Sequence, residues 1–107
     1  MEQTDFVRVG RTRDVAPGNA KAFTVGAWEV AVFNVAGEFF ALENRCPHQG
    51  GPLAEGWLEG MHITCPWHAW CFDVRTGEME LGDYASVDRF DVFVRDGAIF
   101  LGTRPKT

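Results

Sequence analysis

The chain lacks the features that mark several large classes of protein. It has no run of about 18 apolar residues, so no sequence for a membrane-spanning helix is present. Lysine and arginine number 10 against 15 acidic residues, which argues against nucleic-acid binding, because that function needs clustered bases. Neither a P-loop nor a Gly-x-Gly-x-x-Gly sequence occurs, and we therefore expect no nucleotide site.

The first residues, MEQTDFVRVGRTRD, contain no apolar stretch and do not have the shape of a signal peptide. Together with the missing membrane span, this predicts a soluble, cytoplasmic protein. The 107 residues predict a single domain, 1–107. Hydrophobic residues make up 46% of the chain, which suffices for a packed core with little excess, so we expect metal binding to contribute to folding.

The net charge of −5 is unevenly distributed along the chain. Between Glu55 and Asp91 there are eight acidic residues and only two arginines. The first 21 residues carry four bases, Arg8, Arg11, Arg13 and Lys21. The acidic half suits steering toward a basic patch on a protein partner, and it suits ordinary solubility equally well.

Helical periodicity is nearly absent, and Asp14–Ala16 offers at most one helical turn. Short segments of strand-forming residues are instead separated by Gly- and Pro-containing turns, which predicts a small antiparallel β structure. The predicted strands are Phe6–Val9, Lys21–Val25, Trp28–Val35, Glu38–Asn44, His62–Thr64, Trp70–Val74, Phe90–Val94 and Ala98–Leu101. The sequence Arg95-Asp96-Gly97 predicts a tight hairpin in which Asp-Gly supplies positive φ angles.

Two short segments each pair a cysteine with a histidine in a Pro/Gly-rich turn. The first is Cys46-Pro47-His48 and the second is Cys65-Pro66-Trp67-His68, with sixteen residues between His48 and Cys65. Four such ligands in two short segments predict a metal site from their spacing alone. Because Cys2His2 is also a common zinc set, a zinc-stabilised interaction module stays open as an alternative.

The surroundings of both segments resemble Rieske [2Fe–2S] proteins. The sequences CPHQGGPL, from Cys46, and CPWHAWCFDVRTGE, from Cys65, are similar to the cluster loops of soluble Rieske-type ferredoxins and of the small subunit of NADH-dependent nitrite reductase. The resemblance implies an all-β Rieske fold, a small antiparallel sandwich or barrel with an inserted cluster-binding subdomain at about 44–77. It also implies one [2Fe–2S] cluster per chain, with Cys46 and Cys65 on one iron and His48 and His68 on the other.

Departures from the high-potential members of this family predict a low reduction potential. Those members carry an additional cysteine in each loop, at positions that are Gly51 and Trp67 here, so the disulfide across the cluster cannot form. They also carry serine and tyrosine hydroxyls where this chain has Trp70 and Phe72. Without those hydrogen bonds to sulfur, we expect a potential at the low end of the Rieske range of roughly −150 to +300 mV.

The resemblance implies a monomeric carrier that takes one electron at a time from an NAD(P)H-dependent flavoprotein reductase. It would pass the electron to a terminal oxygenase, of the kind that hydroxylates aromatic rings. The alternative within the family is a fixed small subunit that binds the large subunit of an assimilatory nitrite reductase.

The remaining histidine and cysteine do not form a catalytic site. After the four ligands are assigned, only His62 is left, so the two-histidine, one-carboxylate iron site of a terminal oxygenase cannot be built. We therefore predict an electron-transfer component and not an enzyme. Cys71 is interpreted as a small, half-buried core residue on the strand that leaves the second loop. The glycines Gly50, Gly51 and Gly56 are expected to permit turns or close backbone approach.

Overall fold

Nine strands are present among the residues that the computed structural model describes, which are 5–45, 51–66, 70–79 and 86–106. They are β1 (Phe6–Arg11), β2 (Ala20–Val25), β3 (Trp28–Val35), β4 (Glu38–Glu43), β5 (Trp57–Glu59), β6 (His62–Thr64), β7 (Cys71–Asp73), β8 (Arg89–Arg95) and β9 (Ala98–Lys106). The described residues otherwise contain two 3₁₀ turns, Thr12–Asp14 and Leu53–Glu55, and no helix able to cross a membrane. The predicted all-β class is confirmed.

The strands form two antiparallel sheets. The larger has six strands in the order β1-β9-β8-β4-β3-β2, and the smaller has three in the order β5-β6-β7. Strands from both ends of the chain are neighbours, since Phe6 of β1 lies opposite Gly102 of β9. The two edge strands, β1 and β2, approach one another, so the large sheet is a nearly closed barrel. The small sheet is inserted between β4 and β8.

Two hairpin turns have the backbone that their sequences predict. In the β8–β9 turn, Asp96 and Gly97 have φ angles of 53° and 75°. In the β3–β4 turn, Ala36 and Gly37 have φ angles of 53° and 94°. Two successive residues with positive φ match the right-handed twist of the flanking strands. These turns set the register of both hairpins.

Several predicted boundaries were wrong. Strand β5 was not predicted, because its three residues offer only Leu58 as an inward apolar side chain. Strand β9 continues past the predicted end at Leu101, since its outer half pairs with β8 beyond a bulge. The helical turn lies at Thr12–Asp14, where the Arg11 N–H donates to Asp14 Oδ2 at 2.9 Å. The strand after the second loop covers only Cys71–Asp73.

Strand β3 is buried on both faces and joins two cores. Val30 and Val32 pack inside the barrel, whereas Ala31 and Phe33 face the small sheet. Successive side chains of any strand point to opposite faces, but in β3 the side chains on both faces are buried by other residues. On the outer side, Ala31 and Phe33 share a core with six residues of the loops and small sheet: Leu53, Ile63, Cys65, Phe72, Val74 and Val87. The barrel therefore forms the base on which that region is packed.

Candidate metal centre

Cys65 is the predicted ligand that lies among the described residues. It follows strand β6 directly, and its side chain is fully buried in the core that also contains Ile63 and Phe72. Its backbone N–H donates to the Trp70 carbonyl at 2.7 Å, which closes the second loop at its base. The other three predicted ligands, Cys46, His48 and His68, lie outside the described residues, as does Trp67.

The base of the first loop is closed by Asn44. Its side-chain Oδ1 accepts a hydrogen bond from the Ala54 N–H at 2.7 Å, and its Nδ2 donates to Glu29 Oε1 at 3.1 Å. Asn44 is only 6% exposed, so leaving either group without a partner would be costly. The segment that carries Cys46 and His48 thus lies between Asn44 and Ala54, which are hydrogen-bonded to each other.

The bases of the two loops lie side by side. A Cβ atom on Gly56 would lie 1.9 Å from the Thr64 carbonyl oxygen, so the backbones meet where only glycine fits. Thr64 directly precedes Cys65, and Leu53, at the end of the first loop, is packed in the same core as Cys65. The expectation that Gly56 permits close backbone approach agrees with this contact.

These features fit an iron–sulfur centre between the loops. A cysteine sulfur enclosed by Leu53, Ile63 and Phe72 is shielded from water, which suits a thiolate that binds a metal. Among the described residues, no three His, Cys, Asp or Glu side chains are grouped to hold a metal ion. The sequence places the other three predicted ligands in segments 46–50 and 67–69, which lie outside the described residues.

The two additional candidates lie on the small sheet. Cys71 begins strand β7, opposite Thr64, and is half-buried, in agreement with the interpretation as a semi-buried strand residue. His62 begins strand β6, where it pairs with Glu59 on one side and Asp73 on the other. Both residues occupy regular strand positions, Cys71 next to the base of the second loop and His62 at the opposite end of the β6–β7 ladder.

Two carboxylates, Asp73 and Glu43, have pKa values shifted from their usual range. Arg75 donates from Nη2 to Asp73 Oδ2 at 2.6 Å and from Nε to Oδ1 at 3.0 Å, and this hydrogen bonding lowers the pKa of Asp73. Burial, followed by the nearby Asp88 charge, raises the pKa of Glu43, just before the first loop. The Asp73–Arg75 pair fixes the turn that follows β7.

Sequence reasoning did not single out Asn44 or Trp57. The predicted strand Glu38–Asn44 includes Asn44, whereas β4 ends at Glu43; a polar residue that ends a strand just before a ligand loop is a signal for loop closure. Trp57 lies on the strand that was not predicted. It pairs with Thr64, one residue before Cys65.

Comparison with known proteins identifies the family. The model of the Rieske [2Fe–2S] domain matches residues 5–91, so the chain belongs to this family. Its cofactor is a [2Fe–2S] cluster, as predicted. Ferredoxin CarAc of Metapseudomonas resinovorans is 34% identical over 104 residues, which cover 94% of this chain and 96% of that ferredoxin.

Apoptosis-inducing factor 3 of Homo sapiens is 35% identical over 85 residues, or 79% of this chain. The chain spans only 14% of that protein's length.

Solved structures agree with the fold. The ferredoxin of carbazole 1,9a-dioxygenase from Nocardioides aromaticivorans IC177 has a TM-score of 0.88 and 32% identity, with 94% of this chain and all of that chain covered. A structure assigned as an NADH-dependent nitrite reductase small subunit from Mycobacterium tuberculosis has a TM-score of 0.87, with 94% of this chain and 96% of that chain covered. Its identity is 17%, so this likeness shows the fold alone.

Proposed function

We propose that the chain is a Rieske-type ferredoxin, a one-electron carrier between two protein partners. The observation that carries this is the likeness, over nearly the whole length of both chains, to small proteins that are themselves ferredoxins. When bound, the [2Fe–2S] cluster supplies one-electron redox chemistry. The remaining task of the chain is to hold the cluster, exclude water from its inner side and present its outer side.

The ligands proposed are Cys46 and Cys65 on one iron and His48 and His68 on the other. Support comes from the buried position of Cys65 and from the closure of each loop at its base. Asn44 fixes the start and end of the first loop, and the Cys65 N–H fixes the second. Both closures are hydrogen bonds at the margin of a packed core, so the bases of the two loops are held by the protein itself.

The partners proposed are an NAD(P)H-dependent flavoprotein reductase as donor and a ring-hydroxylating oxygenase as acceptor. Support for the oxygenase comes from the names of the relatives and from a solved complex of oxygenase with ferredoxin in carbazole 1,9a-dioxygenase, whose matching chain is 31% identical to this one. We further propose a monomeric cytoplasmic protein with one domain, 1–107, and a cluster-binding subdomain at about 44–77. The insertion of β5–β7 between β4 and β8 supports that subdivision.

Neither alternative has comparable support. The nitrite reductase small subunit shares the fold at an identity too low to carry its function across. The zinc module is disfavoured by the family match.

Electron exchange with purified components tests the proposal. The protein is reduced under anaerobic conditions, freed of excess reductant and mixed with the oxidised oxygenase of a carbazole 1,9a-dioxygenase system. We expect about one electron per chain to leave, seen as the return of the oxidised absorption spectrum. NAD(P)H should reduce the protein only when the flavoprotein reductase is present. Stable co-purification with a nitrite reductase large subunit, and no exchange with the oxygenase, would contradict the proposal.

Replacing Phe72 with tyrosine is expected to raise the midpoint potential by roughly 40 mV. Phe72 is fully buried in the core that contains Cys65, so a new hydroxyl must find an acceptor there, and a thiolate is the strongest one available. A hydrogen bond to a charged group is worth roughly 1.5–3 kcal/mol, of which the difference between redox states is about 1 kcal/mol. For one electron, about 59 mV corresponds to a tenfold change in the equilibrium constant, which is about 1.4 kcal/mol. A difference of about 1 kcal/mol therefore raises the potential by roughly 40 mV.

The potential is measured by spectroelectrochemical titration of both proteins. Phe90→Tyr is the control, since Phe90 is buried in the barrel core, away from the loops, and its change should leave the potential alone. A structure of the Phe72→Tyr protein with the hydroxyl bonded to sulfur, but an unchanged potential, would remove the explanation offered for a low potential.

A further inference from the structure

Trp57 is the most exposed of the large hydrophobic side chains in the part of the chain that the structure describes. It is 61% exposed, whereas the others in this group, Phe6, Val7 and Val94, are 38–43% exposed. Those three lie on strands of the barrel sheet. Trp57 lies on β5, at the edge of the small sheet whose strand β6 directly precedes Cys65.

Register brings Trp57 close to the proposed cluster ligand. Its Cα partner across the β5–β6 ladder is Thr64, and Cys65 follows at once. One cross-strand step of about 5 Å and one residue step of 3.8 Å place the Cα atoms of Trp57 and Cys65 within about 9 Å. Electron transfer requires a partner to dock near the cluster, and Trp57 is an exposed apolar side chain within this distance of one of the proposed ligands.

The strand holds the indole in a fixed outward direction. Leu58, the next residue, packs against the core, so the alternation of the strand directs Trp57 away from it. A side chain held on a strand loses little freedom on binding, which favours a rigid aromatic anchor. Tryptophan is also among the residues most enriched at the centres of binding interfaces.

The charged residues close to Trp57 in the sequence are all acidic. Glu55 and Glu59 flank it and are exposed, and the described segment 51–66 contains no lysine or arginine. A complementary surface therefore combines an apolar cleft for the indole with a rim of lysine or arginine. A second copy of this chain does not fit, because a symmetric contact would bring the glutamates together. An anionic lipid surface would repel the same glutamates.

We propose that Trp57 is the docking anchor for the electron-transfer partner, inserted into an apolar cleft that is rimmed by basic residues. This inference rests on the proposed function and names the part of the chain that recognises the oxygenase. Glu55 and Glu59 steer the encounter, and the indole provides the buried contact once the complex has formed.

The test measures electron transfer from the reduced protein to the oxygenase of the carbazole 1,9a-dioxygenase system as a function of oxygenase concentration. Trp57→Ala should raise the half-saturating concentration at least about tenfold. The rate at saturation, the absorption spectrum and the midpoint potential should stay as in the wild type. Trp57→Phe should keep most of the affinity. Phe6→Ala, which removes an exposed aromatic from the barrel sheet, should change the half-saturating concentration less than about twofold.

A second variant examines the rim. Glu59→Lys should also raise the half-saturating concentration and should weaken its dependence on salt, because one attractive charge is reversed. It serves as the test if Trp57→Ala does not retain its cluster.

Three outcomes would overturn the inference. They are an unchanged half-saturating concentration for Trp57→Ala, an altered potential or saturated rate in Trp57→Phe, and a wild-type dimer that Trp57→Ala dissociates. A wild-type protein that transfers no electron to the oxygenase at any concentration would instead defeat the proposed function, and this inference with it.

Discussion

Replacing His68 with alanine is expected to abolish the intact [2Fe–2S] cluster, whereas replacing Cys71 with serine should leave it in place. The proposed set of four ligands is complete, and neither loop contains another histidine or cysteine that could substitute. His62 lies in β6, where the ladder fixes it between β5 and β7. The purified wild type should contain about two irons and two acid-labile sulfides per chain, and His68→Ala close to none.

The measurement is iron and sulfide content together with the visible absorption spectrum, taken on proteins expressed side by side. Cys71→Ser is the matched control because Cys71 lies three residues beyond His68 and is half-buried on β7. Loss of iron from Cys71→Ser, with a normal spectrum in His68→Ala, would show that the ligand assignment is wrong. If the native protein contained zinc in place of iron, the zinc-stabilised interaction module would be supported instead.

The parts of the fold that depend on local chemistry could be predicted from the sequence. The β8–β9 turn follows from Asp96-Gly97, because those two residues tolerate positive φ. Strand β3 has the bounds that its run of strand-forming residues predicts, Trp28–Val35. Its burial on both faces was not predicted, since that depends on packing against Leu53 and Phe72 far along the chain.

In the candidate site, too, some features can be predicted from neighbouring residues, whereas others depend on packing between distant parts of the chain. The four donor atoms are predicted from the spacing of Cys and His along the sequence, and this assignment stays a prediction. The closure of the first loop depends on Asn44 meeting Ala54, and this pairing exists only after β4 and the 3₁₀ turn have packed together. Strand β5 is similar, because three residues are too few to show an alternating pattern and the strand exists only through its pairing with β6.

Replacing Gly56 with alanine is expected to lower the thermal midpoint of unfolding by at least about 12 °C. The added methyl would lie 1.9 Å from the Thr64 carbonyl oxygen, so the bases of the two loops must separate. The backbone of Gly56, with φ of −83°, is one that alanine adopts, and the clash alone is therefore responsible. We expect a cost of about 3 kcal/mol or more, and in a domain of this size each kcal/mol shifts the midpoint by roughly 4–8 °C.

Gly60→Ala, where φ is +56° and no atom lies within 4 Å of the new methyl, isolates backbone strain and should cost only about 1 kcal/mol. Equal midpoints for the two variants would mean that the contact between Gly56 and Thr64 does not hold the loops together.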